Sequence, residues 1–126
     1  MEGCPLSLTI IVGQPGSGKS KTIRNKYLQA SRDAVFLDGH HSEEAVRQLR
    51  HEMGFFDHRY LYCAPEALWP ELERLDDGHE VFIDMPDLPL GELLQLQRLA
   101  GERAWHFTVT ARTVPPELRD AEVIDL

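Results

Sequence analysis

The sequence predicts an α/β protein, a three-layer α/β/α sandwich built on a mostly parallel sheet of about five strands. Three observations carry that expectation. Short apolar runs rich in β-branched residues alternate with helix-period segments from one end of the chain to the other. The first run, "LSLTIIV", is apolar almost throughout, as a strand covered on both faces would be. Residues suited to chemistry (Gly13, Asp38, Asp84 and Arg112) fall where apolar runs end. In a parallel sheet that is the carboxyl edge, where ligands bind.

The elements follow in order. Leu6 to Val12 is the first strand, and Lys19 to about Ala30 is a helix with Ile23, Tyr27 and Ala30 on one side. "AVFLD" (Ala34 to Asp38) is a second strand. Ser42 then offers an N-cap to a helix whose stripe is Val46, Leu49 and Met53, stopped near Gly54. "YLYC" (Tyr60 to Cys63) is a weaker strand. Pro65 stands in the first turn of a helix with Leu68, Leu72 and Leu75 as its stripe, ended by Asp76, Asp77 and Gly78. "VFID" (Val81 to Asp84) is a strong strand, and a leucine-rich helix runs from about Leu88 to Ala100. "HFTVTA" (His106 to Ala111) is a further strand, "VPPELRD" a turn with one helical turn, and "VIDL" a short closing strand.

The 126 residues suit a single domain, 1–126, with 42% hydrophobic and 27% charged residues to build an ordinary core. A net charge of −8 argues against a broad nucleic-acid-binding surface, so any involvement of nucleic acid is expected to be indirect. Lys19, Lys21, Arg24 and Lys26 form a local basic cluster all the same. Two cysteines, Cys4 and Cys63, cannot build a disulfide framework, which points to a cytoplasmic setting. No apolar stretch reaches the roughly 20 residues of a membrane span.

The chemistry concentrates in "GQPGSGKSK". Gly13, Gly18, Lys19 and Ser20 match G-x-x-x-x-G-K-[ST], the Walker A pattern, between a strand and a helix. Glycines let backbone N–H groups approach an anion, and the following helix aims its positive end at the same point. The nucleotide-binding residues expected are therefore Gly13, Gln14, Pro15, Gly16, Ser17, Gly18, Lys19, Ser20 and Lys21. Lys19 would reach the terminal phosphates with a side chain that does no packing, and the Ser20 hydroxyl would serve Mg²⁺. Asp84, ending an apolar strand, would be the second metal-supporting group, in the manner of a Walker B carboxylate.

On these residues the chain resembles P-loop NTPases over almost its whole length. Within them it looks like the additional-strand ATPases, in particular small phage and plasmid members related to DNA-translocating, conjugative-coupling and zonula-occludens-toxin-like ATPases. The segment from "VFIDMPD" to "VIDL" carries that likeness: a strand ending in Asp, a long helix, a strand ending near Thr or Arg, a proline turn and a terminal strand. The resemblance implies a P-loop fold and binding of Mg²⁺ and ATP. It further implies hydrolysis of the β–γ phosphoanhydride inside a larger, phage-, plasmid- or DNA-handling assembly. Lys19 and Asp84 would act in catalysis, with Thr110 or Arg112 beside the γ-phosphate. Arg112 and Arg119 would be able to act within the subunit or across to a neighbour.

One departure stands out. Such ATPases place a glutamate directly after the Walker B aspartate to orient water, and Met85 occupies that position here. Asp87, two residues on, is the nearest substitute carboxylate. A second resemblance competes: "VFLDGHH" is similar to the "LDGD" of gluconate-kinase-like and adenylylsulfate-kinase-like enzymes, in which Asp38 would position the acceptor hydroxyl. Those kinases carry an arginine-bearing lid, and residues 112–122 leave little room for one. A third reading is a nucleotide-gated regulator with little turnover. It rests on leucines 88, 90, 93, 94, 96 and 99, more than one core-facing stripe needs, which would offer a self-association face. His40 and His41, adjacent and without a cysteine pair, read as solvated loop residues rather than zinc ligands, and Trp69 and Trp105 as packing residues.

Overall fold

A computed structural model of the chain describes residues 8–30, 34–52, 59–75, 80–118 and 121–126. Cys4, Leu6, Met53, Gly54, the Asp76–Asp77–Gly78 stop and Arg119 lie outside the described residues. The strands are β1 (Leu8–Val12), β2 (Val35–Asp38), β3 (Tyr60–Tyr62), β4 (Glu80–Asp84), β5 (His106–Ala111) and β6 (Glu122–Asp125). They form one six-stranded sheet in the order β3-β2-β4-β5-β1-β6. Every pairing is parallel, so the expectation of about five, mostly parallel strands is corrected to six in a wholly parallel sheet. The sixth is β6, whose largely exposed residues give only a weak apolar signal.

The helices are α1 (Lys19–Gln29), α2 (Glu43–Glu52), α3 (Leu68–Glu73) and α4 (Leu90–Arg103). Strand alternation sorts them onto the two faces. Ile11, Phe36, Tyr60 and Phe82 point to one side and pack with Ile23 and Tyr27 of α1 and Val46 of α2. Ile10, Leu37, Ile83 and Val109 point to the other, against Leu68 and Leu72 of α3 and Leu93 and Leu96 of α4. The first core is aromatic, with the Phe36 and Tyr60 rings stacked at 4.3 Å. The second is mostly aliphatic. Helices thus cover both faces, which explains why β1, β2 and β4 are buried nearly end to end.

Helix starts follow local chemistry. Ser42 caps α2, its Oγ accepting the Ala45 N–H at 3.1 Å. Pro65–Ala67 form a 3-10 turn that leads into α3, and α4 begins at Leu90 rather than Leu88, directly after Pro89. Trp105 is buried against Phe107, and the Arg103 guanidinium lies 4.3 Å from its ring centroid. Trp69 is half-buried and donates from Nε1 to Glu92 at 3.1 Å. The α4 leucines are buried or packed against the core, so the expected self-association face has no exposed large apolar side chain on this helix. No helix among the described residues is long and apolar enough to cross a membrane.

Candidate functional site

The carboxyl edge of the sheet gathers the loop after β1, the ends of β2 and β4, and the turn after β5. A cleft of about 350 Å³ opens there, lined by Pro15, Gly16, Gly18, Lys19, Ser20, Lys21, His40, Asp84, Pro86 and Arg112.

The loop 13–18 folds tightly back on itself. The Ser17 N–H donates to the Gln14 carbonyl at 3.0 Å, and a Cβ at Gly13 would force the Ser17 hydroxyl to turn away. Gly16 and Gly18 hold φ of 85° and 95°, the left-handed region that side chains resist, and open space faces both. Gly18 is the N-cap of α1, and no side chain caps that helix. The amide-rich end of α1 therefore looks into the cleft, an arrangement suited to an anion.

Lys19 departs from expectation. Its side chain is buried, and Nζ donates to the carbonyls of Gly13 at 2.6 Å and Gln14 at 3.0 Å. Instead of projecting freely, it pins the loop it belongs to. Ser20, one residue on, donates from Oγ to Asp84 Oδ2 at 2.7 Å. Thr110 Oγ1 donates to the other Asp84 oxygen at 2.9 Å. Asp84 is almost wholly buried yet bonded to two neutral, rotatable hydroxyls. Those hydroxyls can turn to other acceptors, which leaves the carboxylate available to a cation. Residues and geometry fit a magnesium–triphosphate group: an uncapped helix end, open glycine backbone, a lysine over the loop and a hydroxyl–carboxylate pair.

Asp87 and Arg112 come together, Nε to Oδ1 at 3.0 Å, with side chains 75% and 54% exposed respectively. Arg112 lines the cleft, but Asp87 does not and faces solvent. Met85 is buried in the aliphatic core and contributes no polar group.

Sequence reasoning missed the network around Asp38. This carboxylate is fully buried, opposite Asp84 in the β2–β4 register. Its Oδ1 accepts the backbone N–H groups of His40 and His41, both at 3.0 Å. Its Oδ2 accepts from His41 Nδ1 at 3.0 Å and from the Tyr60 hydroxyl at 2.8 Å. Burial, reinforced by the Asp38 charge and hydrogen bond, pushes the Tyr60 phenol well above its usual range, so it stays a donor. A nitrogen of His41 and oxygens of Asp38 and Asp84 lie within 4.8 Å of one another. Gly39 makes that closeness possible. Its N–H donates to the Asp84 carbonyl at 3.1 Å, and a Cβ there would sit 2.6 Å from the Cys63 carbonyl oxygen. The histidines are thus loop residues, as expected, but His41 is tied to Asp38, and His40 packs edge-on against it at 4.9 Å. "DGHH" after a strand was the available signal; Tyr60, arriving from β3, left none.

Cys63 is buried and its thiol is pushed up to about 11, first by burial and then by Glu71 and Glu66, which leaves it unreactive. The chain matches no family model, and no curated protein matches it in sequence.

Proposed function

We propose that the protein binds a magnesium–nucleoside triphosphate, ATP by the resemblance drawn from its motifs, at residues 13–21, and hydrolyses the β–γ phosphoanhydride as part of a larger assembly. The observation that carries this reading is the 2.7 Å bond between Ser20 and Asp84. It joins the start of α1 to the end of β4, two segments far apart in sequence, at the mouth of the glycine loop that Lys19 pins. Chain topology supports the ATPase branch: β5 lies between β1 and β4, an added strand separating the phosphate loop from the Walker B carboxylate.

Each residue then has a task. Backbone N–H groups of 16–20 and the α1 dipole hold the phosphates. Lys19, which lines the cleft, would exchange its loop carbonyls for phosphate oxygens. Ser20 and Asp84 would hold magnesium, which supplies positive charge against the terminal phosphates. Thr110 keeps Asp84 aimed, and Arg112 at the cleft rim would meet the γ-phosphate from this subunit or a neighbour. The kinase alternative asks Asp38 to take an acceptor's proton, yet both Asp38 oxygens already accept hydrogen bonds from four donors and the carboxylate is sealed from solvent. That observation favours the ATPase. A nucleotide-gated regulator uses the same binding residues and differs only in turnover.

Calorimetric titration of the full chain with ATP and magnesium tests the proposal. Wild type should bind in a magnesium-dependent manner, and Lys19→Ala should weaken binding by about 100-fold or more, losing contacts to charged phosphate oxygens. Wild-type protein that binds neither ATP nor GTP would end the reading.

A further inference from the structure

The departure at Met85 leaves a question that the cleft itself answers. Hydrolysis needs a group that holds the attacking water and takes its proton, and the residue after Asp84 is a buried methionine. Among the described residues lining the cleft, the polar side chains are Lys19, Ser20, Lys21, His40, Asp84 and Arg112. Lysine and arginine are cations with no lone pair to offer. Ser20 and Asp84, hydrogen-bonded to each other, are the pair given to magnesium in the proposed function. His40 alone brings an imidazole nitrogen able to accept a proton. Its side chain is exposed, makes no hydrogen bond among the described residues, and touches the His41 ring.

We infer that His40 is the catalytic group that positions the attacking water and accepts its proton, replacing the carboxylate missing at Met85; this rests on the ATPase reading above. The backbone around it is held for the task. Asp38 accepts the His40 N–H at 3.0 Å, and Gly39 donates to the Asp84 carbonyl at 3.1 Å, so the turn carrying His40 is tied to both strand ends. His41, held by Asp38 at 3.0 Å, walls off one side of the His40 ring. Asp38 and His41 are positioning residues. In the step itself the water oxygen bonds to the γ-phosphorus as the bond to the β–γ bridging oxygen breaks, and that electron pair leaves with ADP. The water's proton passes to an His40 ring nitrogen and then to the released phosphate or solvent, so no other reactant is needed.

The test uses the full chain with ATP, magnesium and three proteins: wild type, His40→Ala and His40→Gln. His40→Ala should lower kcat by about 100-fold while leaving the ATP dissociation constant within about twofold, and added imidazole should restore part of the rate. His40→Gln, which can hold a water but not take its proton, should be as slow. A readout free of turnover accompanies this: the His40 ring resonances, assigned by their loss in His40→Ala, should shift with magnesium, ADP and aluminium fluoride but not with magnesium–ADP alone. An unchanged kcat in His40→Ala, an active His40→Gln, or a loss confined to affinity each overturns the inference. Wild type that binds ATP without hydrolysing it overturns it too, while leaving the binding site standing. Wild type that binds no nucleotide removes both.

Discussion

Asp38 and Asp84 sit side by side in adjacent strands, both ending apolar runs and both cut off from solvent, yet they are built for opposite purposes. Asp84 is met by two hydroxyls that can turn away. Asp38 is met by two backbone N–H groups, a ring nitrogen and a phenol, none of which can reverse its polarity while Asp38 is charged. A buried carboxylate whose partners are all exchangeable can accept a ligand; one that also holds two backbone N–H groups organises the chain around it. Burial alone does not separate a binding group from a structural one. The kind of partner does.

The largest contrast should come from the same substitution at both positions. Asp38→Asn can keep its carbonyl on the two backbone N–H groups, but its NH₂ then faces the His41 ring and the Tyr60 hydroxyl, both of which must give up donating. The change should cost about 2 kcal/mol or more in urea unfolding. Asp84→Asn meets hydroxyls that can reorient, so stability should change by less than about 1 kcal/mol, while ATP hydrolysis falls by about 100-fold or more. Equal stability losses would break the comparison. Next in size is Gly39→Ala, whose new methyl would lie 2.6 Å from the Cys63 carbonyl oxygen and 2.9 Å from the Met85 side chain. Overpacking of this kind should cost about 1–3 kcal/mol, and a neutral Gly39→Ala would show that the two strand ends need not be so close.

Tyr60→Phe removes one of the Asp38 donors and should cost about 1–2 kcal/mol near neutral pH. It carries a pH signature as well. The folded protein keeps the Tyr60 proton where the unfolded chain, with an ordinary phenol pKa of about 10, releases it. Stability from this group is therefore complete below pH 10 and declines above it. The gap between wild type and Tyr60→Phe should narrow in unfolding curves taken above that pH, and a gap independent of pH would contradict the Asp38–Tyr60 pairing. The smallest effects belong to Asp87 and Arg112. Their pair is exposed, so Asp87→Asn and Arg112→Ala should each change stability by less than about 1 kcal/mol. A larger shift would mean that this rim is held as firmly as the Asp38 network.

What could be read from the sequence follows the same division. The proposed phosphate loop is contiguous and would act through its backbone, so nine consecutive residues carried both the glycine spacing and the strand–helix setting. All six strands left apolar runs, though β6 was too exposed to count firmly. Strand order was not legible. Nothing in "HFTVTA" says that β5 slips between β1 and β4 rather than beside β6, because order is decided by which faces the helices cover. The burial of Lys19 was missed because its partners are carbonyls, which every residue has. The Asp38 network escaped because Tyr60 comes from another strand and the histidines bind through backbone N–H as much as through their rings.

The place of β1 in the sheet has a consequence for how the protein is made. It is the earliest of the described strands to leave the ribosome, yet its two neighbours are β5, at His106–Ala111, and β6, at Glu122–Asp125. Strands β3, β2 and β4 are contiguous in the sheet and can associate while synthesis continues. The apolar stretch Thr9–Val12 must wait, with both edges unpaired, for contacts of very high sequence separation, a state that is slow to resolve and open to aggregation. Because β1 also leads into the proposed phosphate loop, a chain with β1 undocked lacks the assembled Ser20–Asp84 pair. On the proposed function, nucleotide would therefore reward only the finished sheet, pulling the last docking step forward by mass action and giving nothing to intermediates.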